Sequence, residues 1–237
     1  MDPRRSSDSG NYAGAADRLA LAGERLLEAV ELKPGMELLD VACGTGHATI
    51  PAAREGARVT GLEPSPDLLA IARERAADAM VEIDWVEGDV RELPFEEGRF
   101  DRVVSVFGHT FWPEHERTAA ELRRVCRAGG AIGIACWTGA IGRLLATVTD
   151  PGPLGWADEE HLRGLFGAPL EIERHEIEWR DRSTDDFADF MLESFAALGE
   201  PADPLRSALT AELERENLED DGRLRFRADY LTAVVRL

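Results

Sequence analysis

A glycine turn that follows a short apolar segment constrains this chain more than any other feature. Leu38, Leu39 and Val41 form an apolar run that is typical of a parallel strand covered on both faces. Gly44 and Gly46 follow, and because glycine has no Cβ, the backbone there can turn sharply and a ligand can lie directly on it. The next residues predict a helix whose N-terminus would aim free N–H groups at that ligand. The pattern predicts an α/β fold with a ligand site at the carboxyl end of the first strand.

Two residues beside the turn distinguish between nucleotide ligands. The dinucleotide fingerprint G-x-G-x-x-G has a third glycine or an alanine where this chain has Thr49. Asp40 lies at the carboxyl end of the predicted strand, where its charge would contribute little to a pyrophosphate site. The same charge favours a cationic nucleoside that carries an amino acid. An NAD-dependent oxidoreductase is therefore the less favoured interpretation.

At Asp40, Ala42, Gly44 and Gly46 the chain resembles the class I S-adenosylmethionine (SAM) dependent methyltransferases, in which an acidic residue precedes alternating small residues and glycines. Alanine replaces the most common first glycine of that motif. The stretch 121–130, Glu-Leu-x-x-Val-Cys-Arg-x-Gly-Gly before a predicted strand, is a second close match. Its closing glycines are predicted to end a helix.

The resemblance is ordered from residue 36 to residue 138 and weaker beyond that point. It implies a doubly wound, mostly parallel sheet of seven strands, with an antiparallel last pair and a helical insertion before the last strand. We predict a flexible tail over residues 1–11 and a single methyltransferase domain over residues 12–237. Within that domain we expect an N-terminal helix over residues 17–32 and a helical cap insertion at about residues 184–217.

Two further acidic residues follow the second and third predicted strands. Glu63 lies 19 residues after Gly44, close to the distance at which βαβ folds place an acid that accepts both ribose hydroxyls. In the resembled family, the carboxylate at the Asp89 position accepts a hydrogen bond from the adenine amino group, and the next residue, Val90, packs on the ring. A polar strand end at Glu63 and an ordinary turn aspartate at Asp89 are the alternatives.

The resemblance implies a complete set of cofactor-binding candidates. The segment before the first strand often folds over the cofactor in that family, and His47 on the glycine turn would contact the methionine end. The candidates are Tyr12, Asp40, Ala42, Gly44, Thr45, Gly46, His47, Glu63, Pro64, Leu68, Gly88, Asp89, Val90, Val106 and Phe107.

The segment after the fourth predicted strand is where the family brings the methyl group to its acceptor. The chain has Val-Phe-Gly-His over residues 106–109, in place of the Asn/Asp-Pro-Pro-aromatic tetrad of nucleic-acid methylases and without an acidic metal ligand. We therefore predict a site without metal. His109 is the candidate general base, and a histidine that only packs in the loop is the alternative. His109, Phe111 and Trp112 are the substrate-binding candidates.

Charge and cysteine content limit the partners. The chain of 237 residues has a net charge of −19, the opposite of what nucleic-acid binding requires. Its basic cluster of Arg123, Arg124 and Arg127 fits a solvated helix face. The three cysteines have no metal-ligand spacing and predict structural thiols in a reducing cytosol. We expect a cytoplasmic monomer or homodimer with a small-molecule partner, and neither nucleic acid nor membrane as a partner.

These features together predict methyl transfer from SAM to an O, N or C atom of a small molecule, with S-adenosylhomocysteine (SAH) as the product. Proximity and orientation would supply most of the catalysis. A protein that binds SAM without methyl transfer, or that uses SAM structurally, is the alternative, because binding and catalysis share nearly all these residues. The fold leaves the acceptor undetermined.

Overall fold

Seven strands form one sheet in the computed structural model of the chain, which describes residues 9–108, 114–145, 154–167, 169–196, 202–219 and 221–237. The strands are β1 (Glu37–Val41), β2 (Arg58–Glu63), β3 (Asp84–Glu87), β4 (Phe100–Val106), β5 (Cys126–Trp137), β6 (Leu170–Asp181) and β7 (Leu224–Arg236). Their order across the sheet is β3-β2-β1-β4-β5-β7-β6. The first five strands are parallel, and β7 lies antiparallel between β5 and β6. The predicted seven-stranded, mostly parallel sheet is confirmed.

Helices cover both faces of the sheet. They are α1 (Ser9–Ala29), α2 (Thr49–Arg54), α3 (Pro66–Asp78), α4 (His115–Val125), α5 (Gly139–Leu145), α6 (Leu154–Ala157), α7 (Glu159–Phe166), α8 (Thr184–Ala196) and α9 (Ala202–Glu216). Apolar residues of α1, α2, α5, α8 and α9 contribute to one core, and those of α4, α6 and α7 contribute to a second. The alternation of β1 explains this division, since Leu38 lies in the first core and Leu39 and Val41 lie in the second.

The sheet places the end of β1 beside two other strands. Asp40 pairs with Gly61 of β2 and with Val104 of β4. The order of the sheet reverses direction at β1, because the chain continues to β2 on one side and later to β4 on the other. Such a switch point leaves a crevice at the carboxyl ends of the strands, which is where open α/β sheets bind ligands.

Several element boundaries differ from the sequence prediction. The first helix begins at Ser9, so residues 9–11 are helical although they were expected in a flexible tail. The third strand begins at Asp84, and a short helix covers Leu154–Ala157. The first helix ends at Ala29, and the backbone N–H of Leu32 then donates to the carbonyl of Leu27.

The glycines at positions 129 and 130 do not end a helix. The fourth helix stops at Val125, and Cys126 already has an extended backbone that pairs with Phe100. Gly129 has a φ of +73°, and a Cβ on Gly130 would lie 2.9 Å from the carbonyl oxygen of Asp101. The glycines therefore permit an irregular start of β5 against β4, which is a tertiary contact that the helical pattern does not reveal.

The predicted helical insertion before the last strand consists of α8 and α9. The ring of Phe187 in α8 packs edge-on against Trp179, at 5.0 Å between centroids, and against Phe226, at 5.1 Å. Leu209 and Leu213 of α9 belong to the same core. Phe187, Leu209 and Leu213 of the insertion therefore pack into the core beside the sheet.

The contact between α1 and β5 gives a test of this packing. A Cβ on Gly133 would lie 2.5 Å from Cγ1 of Val30 and 3.0 Å from Cδ1 of Leu26. We expect Gly133→Ala to lower the free energy of unfolding by about 1–3 kcal/mol, because the helix must move away from the strand. The measurement is a urea titration of the variant and the wild type.

Gly164→Ala is the matched control, since Gly164 lies within α7 and a Cβ there would meet no described atom within 4 Å. This control should raise the free energy of unfolding by about 0.5–1 kcal/mol. Equal stability of Gly133→Ala and wild type would contradict the close approach of α1 and β5.

Candidate functional site

The glycine turn between β1 and α2 is held in a left-handed backbone conformation. Ala42, Gly44 and Gly46 have φ values of +55°, +53° and +88°. The backbone N–H of Gly46 donates to the carbonyl of Cys43 at 2.9 Å, and the N–H of Cys43 donates to Leu62 of β2 at 3.1 Å. An L-residue with a Cβ costs about 1–2 kcal/mol in this region. The strain at Ala42 explains why glycine is the usual residue there in the resembled family.

The carboxyl ends of β1 and β4 are in close contact. A Cβ on Gly108 would lie 2.5 Å from the Cβ of Ala42 and 2.7 Å from its carbonyl oxygen. Phe107, just before that glycine, has a φ of +63°. Strained backbone at two adjacent strand ends is typical of ligand sites, where the surrounding structure holds the conformation. Glycine at position 108 is therefore required for the chain to leave β4 at this point.

Glu63 connects the glycine turn to the start of α3. Its Oε2 accepts a hydrogen bond from the N–H of Gly44 at 3.0 Å, and its Oε1 accepts one from the N–H of Ser65 at 3.1 Å. The side chain is buried, and burial raises the pKa of its carboxyl above the usual value. A carboxylate has about four acceptor sites, so two remain for a ligand. Glu63 thus has a structural role that the sequence spacing did not reveal.

Asp40 is a buried carboxylate with only one satisfied oxygen among the described residues. Its residue exposure is 1%, and its Oδ2 accepts a hydrogen bond from the hydroxyl of Thr49 at 2.6 Å. Its Oδ1 is buried and has no hydrogen-bond partner in the described part of the chain. Desolvation, with a smaller contribution from the charge of Glu63, raises the pKa of the Asp40 carboxyl to about 7. A buried, unpaired acceptor of this kind suits a cationic or hydrogen-bond-donating ligand group.

Thr49 acquires a role in this geometry. In the sequence, Thr49 only argued against a dinucleotide-binding fingerprint. In the structure, its hydroxyl donates a hydrogen bond to the carboxylate of Asp40.

Cys43 lies under the same turn, where burial raises the pKa of its thiol well above the ordinary value. All three cysteines are buried and free, as predicted for structural thiols.

Thr45 and His47 lie on the turn and are joined to α3 by Arg75. The guanidinium Nη1 of Arg75 donates to the carbonyl oxygen of Thr45 at 3.2 Å and to its hydroxyl at 2.7 Å. That hydroxyl lies 3.2 Å from Nε2 of His47. Burial, assisted by the charge of Arg75, lowers the pKa of His47 to about 4. The sequence prediction missed Arg75, because its position in a regular helix gives no sign of what its guanidinium reaches.

Asp89 lies at the end of β3, as predicted, and is already engaged by an arginine. Its Oδ1 accepts hydrogen bonds from the backbone N–H of Arg91 at 2.7 Å and from Nε at 3.0 Å. Its Oδ2 accepts from Nε at 3.0 Å and from Nη2 at 2.6 Å. These hydrogen bonds lower the pKa of the Asp89 carboxyl. Arg91 also donates to Glu114 at the start of α4 at 2.7 Å. An adenine amino group would have to share this carboxylate.

Two of the predicted cofactor contacts have buried side chains in the structure. Val90 has no exposed surface and belongs to the second core, and its contact with an adenine ring stays a prediction. The ring of Phe107 belongs to the first core, where it stacks on Trp137 at 3.9 Å between centroids. Both residues lie where the chain leaves a strand, and the residue pattern does not reveal which side of the sheet takes the side chain.

The remaining candidates differ in how much of them the structure describes. Gly88 lies beside β2, where a Cβ would be 3.0 Å from Cδ1 of Leu62. Pro64 is exposed, and Leu68 and Val106 are partly buried. The backbone of Tyr12 lies in α1, but its side chain is outside the described part of the structure, as are the residues His109, Phe111 and Trp112. The roles predicted for these four residues, like those of the other candidates, remain predictions.

The described ranges contain neither a candidate metal cluster nor a helix that could span a bilayer. No group of three or more His, Cys, Asp or Glu side chains within them could hold a metal ion. None of the helices in these ranges is both long and apolar enough to cross a bilayer.

Comparison with known proteins agrees with this geometry. Residues 38–130 match the family model described as a methyltransferase domain. The whole chain is similar to an uncharacterized protein of Mycobacterium tuberculosis strain H37Rv, at 33% identity over 257 residues that cover 96% of this chain and 92% of the relative. The chain belongs to the class I, Rossmann-like SAM-dependent methyltransferases.

Other proteins are similar to this chain over shorter regions. A malonyl-[acyl-carrier protein] O-methyltransferase of Pectobacterium atrosepticum is 37% identical over 131 residues, which cover 53% of this chain and 50% of that protein. A second uncharacterized protein of Mycobacterium tuberculosis strain H37Rv is 42% identical over 169 residues. That alignment covers 66% of this chain, and the chain spans 62% of the length of this relative.

A solved structure from Bacillus halodurans shares the methyltransferase fold. Its TM-score is 0.68 at 19% identity, and the superposition covers 90% of this chain and 97% of that one. This likeness supports the architecture, and the sequence relatives support the family.

The raised pKa of Asp40 gives a test of its burial. The raised value means that the folded protein binds a proton that the unfolded chain releases, so the ligand-free protein should lose stability as the pH rises from about 4 to about 7. We expect Asp40→Asn to abolish this loss and to be more stable than wild type at about pH 8, by at most about 4 kcal/mol. Thermal or urea unfolding across this pH range is the measurement.

Asp84→Asn is the control, because it removes an exposed carboxylate from the neighbouring strand β3. This variant should follow the wild-type pH profile. If Asp40→Asn also followed the wild-type profile, the Asp40 carboxylate would not be the buried charge that the geometry indicates.

Proposed function

We propose that this protein transfers a methyl group from SAM to an O, N or C atom of a small molecule and releases SAH. The observation that carries the proposal is the buried, unpaired Oδ1 of Asp40 beside the glycine turn. An anionic acceptor at this place suits a cofactor that carries a sulfonium and an ammonium group. Membership of the methyltransferase family supports the same cofactor.

The residues of the turn fit SAM in two further respects. A Cβ on Gly44 would meet no described atom within 4 Å, so the turn has open space on that side. Glu63 keeps two acceptor sites beyond its bonds to Gly44 and Ser65, which suits the two hydroxyls of a ribose. The carboxylate of Asp89 accepts hydrogen bonds from Arg91 on both oxygens, so an adenine amino group would share it with that arginine.

When bound, SAM supplies an electrophilic methyl group on its sulfonium. The protein then has to hold the acceptor atom in line with the carbon–sulfur bond and to exclude water. Orientation of this kind can contribute about 7–11 kcal/mol to lowering the barrier. The rigid turn, with its links to β2 through Cys43 and to α3 through Glu63, provides the fixed reference for this alignment.

The acceptor end of the site is assigned from the sequence. We propose that Phe111 and Trp112 contact the acceptor and that His109 serves as general base where the acceptor must lose a proton. A positioned base contributes about 10²–10⁴-fold in rate. A histidine that packs in the loop would instead leave the rate little changed when it is replaced by glutamine.

We further propose a small molecule as the acceptor, with neither nucleic acid nor membrane as a partner. The net charge of −19 supports this choice, because it opposes the phosphate contacts on which nucleic-acid affinity depends. A cytoplasmic monomer or homodimer is the form that we propose.

Binding of SAM and its loss in a Glu63 variant test the cofactor. We expect the wild type to bind SAM and SAH but not NAD, and Glu63→Ala to weaken SAM binding by about 2–4 kcal/mol, or about 30- to 1000-fold. The same variant leaves the N–H groups of Gly44 and Ser65 without their acceptor, so the ligand-free protein should lose about 1–3 kcal/mol of stability. Calorimetric titration and urea unfolding measure the two effects.

Glu63→Gln should lose less SAM affinity and less stability than Glu63→Ala, since its amide oxygen still accepts a hydrogen bond. Glu87→Ala, which removes an exposed carboxylate from the end of β3, is the matched control and should bind SAM as the wild type does. Binding of NAD without binding of SAM would refute the proposed cofactor. Unchanged SAM affinity in Glu63→Ala would remove Glu63 from the site.

Metal dependence is tested separately. We expect methyl transfer without added divalent metal, because residues 106–109 after the fourth strand contain no carboxylate. Activity is measured as SAH release before and after EDTA treatment, and then after magnesium is restored. A loss of turnover in EDTA that magnesium reverses would show that the reaction depends on a metal.

A further inference from the structure

A chain of polar contacts runs from the surface helix α3 into the glycine turn. Nη1 of Arg75 donates to both oxygens of Thr45, and the Thr45 hydroxyl oxygen lies 3.2 Å from Nε2 of His47. The side chain of Thr45 is buried at 5% residue exposure, whereas Arg75 is partly exposed. These three residues connect a permanent positive charge to an imidazole on the turn.

The donors and acceptors in this chain determine where the imidazole proton lies. A guanidinium has no acceptor, so the Thr45 hydroxyl oxygen must accept the hydrogen bond from Arg75. The hydroxyl proton is then free to point to Nε2 of His47. A proton on Nε2 would instead make the same oxygen accept two hydrogen bonds, and the hydroxyl proton would then need another acceptor. The contacts therefore favour the neutral tautomer of His47 that carries its proton on Nδ1.

The N–H group at Nδ1 of His47 then needs a hydrogen-bond acceptor. Its Nδ1 is buried and has no hydrogen-bond partner among the described residues. A buried donor without a partner costs free energy, so such groups in folded proteins normally find an acceptor or serve a ligand. The charge of Arg75 at the other end of the chain makes an anionic acceptor the most favourable partner.

We propose that Arg75 is a positioning residue, which acts through Thr45 to keep the proton of His47 on Nδ1 so that the turn donates a hydrogen bond to the carboxylate of a bound amino-acid group. This inference rests on the proposed function, because SAM and SAH end in an amino acid. Asp40, with its unpaired acceptor oxygen, supplies the complementary partner for the ammonium group of the same amino acid. The turn thus offers one donor and one acceptor to a zwitterion.

Nitrogen-15 NMR of the ligand-free protein tests the positioning role. The ring-nitrogen shifts distinguish the two tautomers, and the signals of His47 are those that disappear in His47→Asn. We expect Nδ1 to carry the proton in the wild type and the proton to redistribute toward Nε2 in Thr45→Val and Arg75→Met. Arg73→Met, an exposed substitution on the same helix, should keep the wild-type spectrum. A wild-type proton on Nε2 would overturn the proposal.

Titration with two ligands tests the carboxylate. SAH carries the amino-acid group, and 5′-methylthioadenosine lacks it. We expect Thr45→Val and Arg75→Met to bind SAH about 10- to 100-fold more weakly and to bind 5′-methylthioadenosine as the wild type does. An equal loss for both ligands would show that the variants merely disturb the turn, and no loss for either would show that His47 serves no carboxylate. Each result would overturn the proposal.

His47→Asn provides a rescue that a purely structural role would not produce. An asparagine amide offers a donor near the place of Nδ1 and needs no neighbour to fix its proton. In this background, Thr45→Val and Arg75→Met should therefore cost little SAH affinity, so the substitutions are strongly non-additive. Additive losses would contradict the mechanism.

Failure of the proposed function has a different signature. A wild type that binds neither SAH nor 5′-methylthioadenosine would refute the cofactor and, with it, the carboxylate contact. The NMR measurement requires no ligand, so it would still decide whether Arg75 and Thr45 fix the tautomer of His47.

Discussion

The hydrogen bonds of one buried carboxylate hold the candidate site together. Glu63 accepts the N–H of Gly44 on the turn and the N–H of Ser65 at the start of α3, so it joins the ends of β1 and β2 to the next helix. The left-handed backbone from Ala42 to Gly46 depends on such support, because it is costly for a residue with a Cβ. Contact between Ala42 and Gly108 extends the same constraint to the end of β4.

At this edge of the sheet, neither Asp40 nor Glu63 has a cationic side chain as a hydrogen-bond partner among the described residues. Asp40 has a hydroxyl as its described partner, and Glu63 has two backbone N–H groups. Burial without a countercharge disfavours the ionised form, which explains the raised pKa of both carboxyls. A cationic cofactor would reverse this penalty. The unfavourable electrostatic environment of these two carboxyls in the ligand-free protein therefore contributes to the preference of the site for a cation.

Most of the fold was predictable because its signals are local. Apolar runs, glycine stops and alternating strands identified the first five strands, and the family resemblance supplied the antiparallel end of the sheet. The errors arose at positions where a distant contact overrides the local pattern. Gly129 and Gly130, which were predicted to end a helix, instead serve the pairing of β5 with β4.

The sequence by itself determined the family, the order of elements and the acidic residues at the ends of β1, β2 and β3, because motif spacing and hydrophobic periodicity are properties of neighbouring residues. Only the tertiary structure decided what those side chains contact. It paired Asp40 with Thr49, gave Glu63 a structural role and brought Arg75 to the turn across 30 positions of the chain. The physical reason is that hydrogen-bond partners and burial depend on how separate helices and strands pack together. The spacing of residues along the chain does not show that packing.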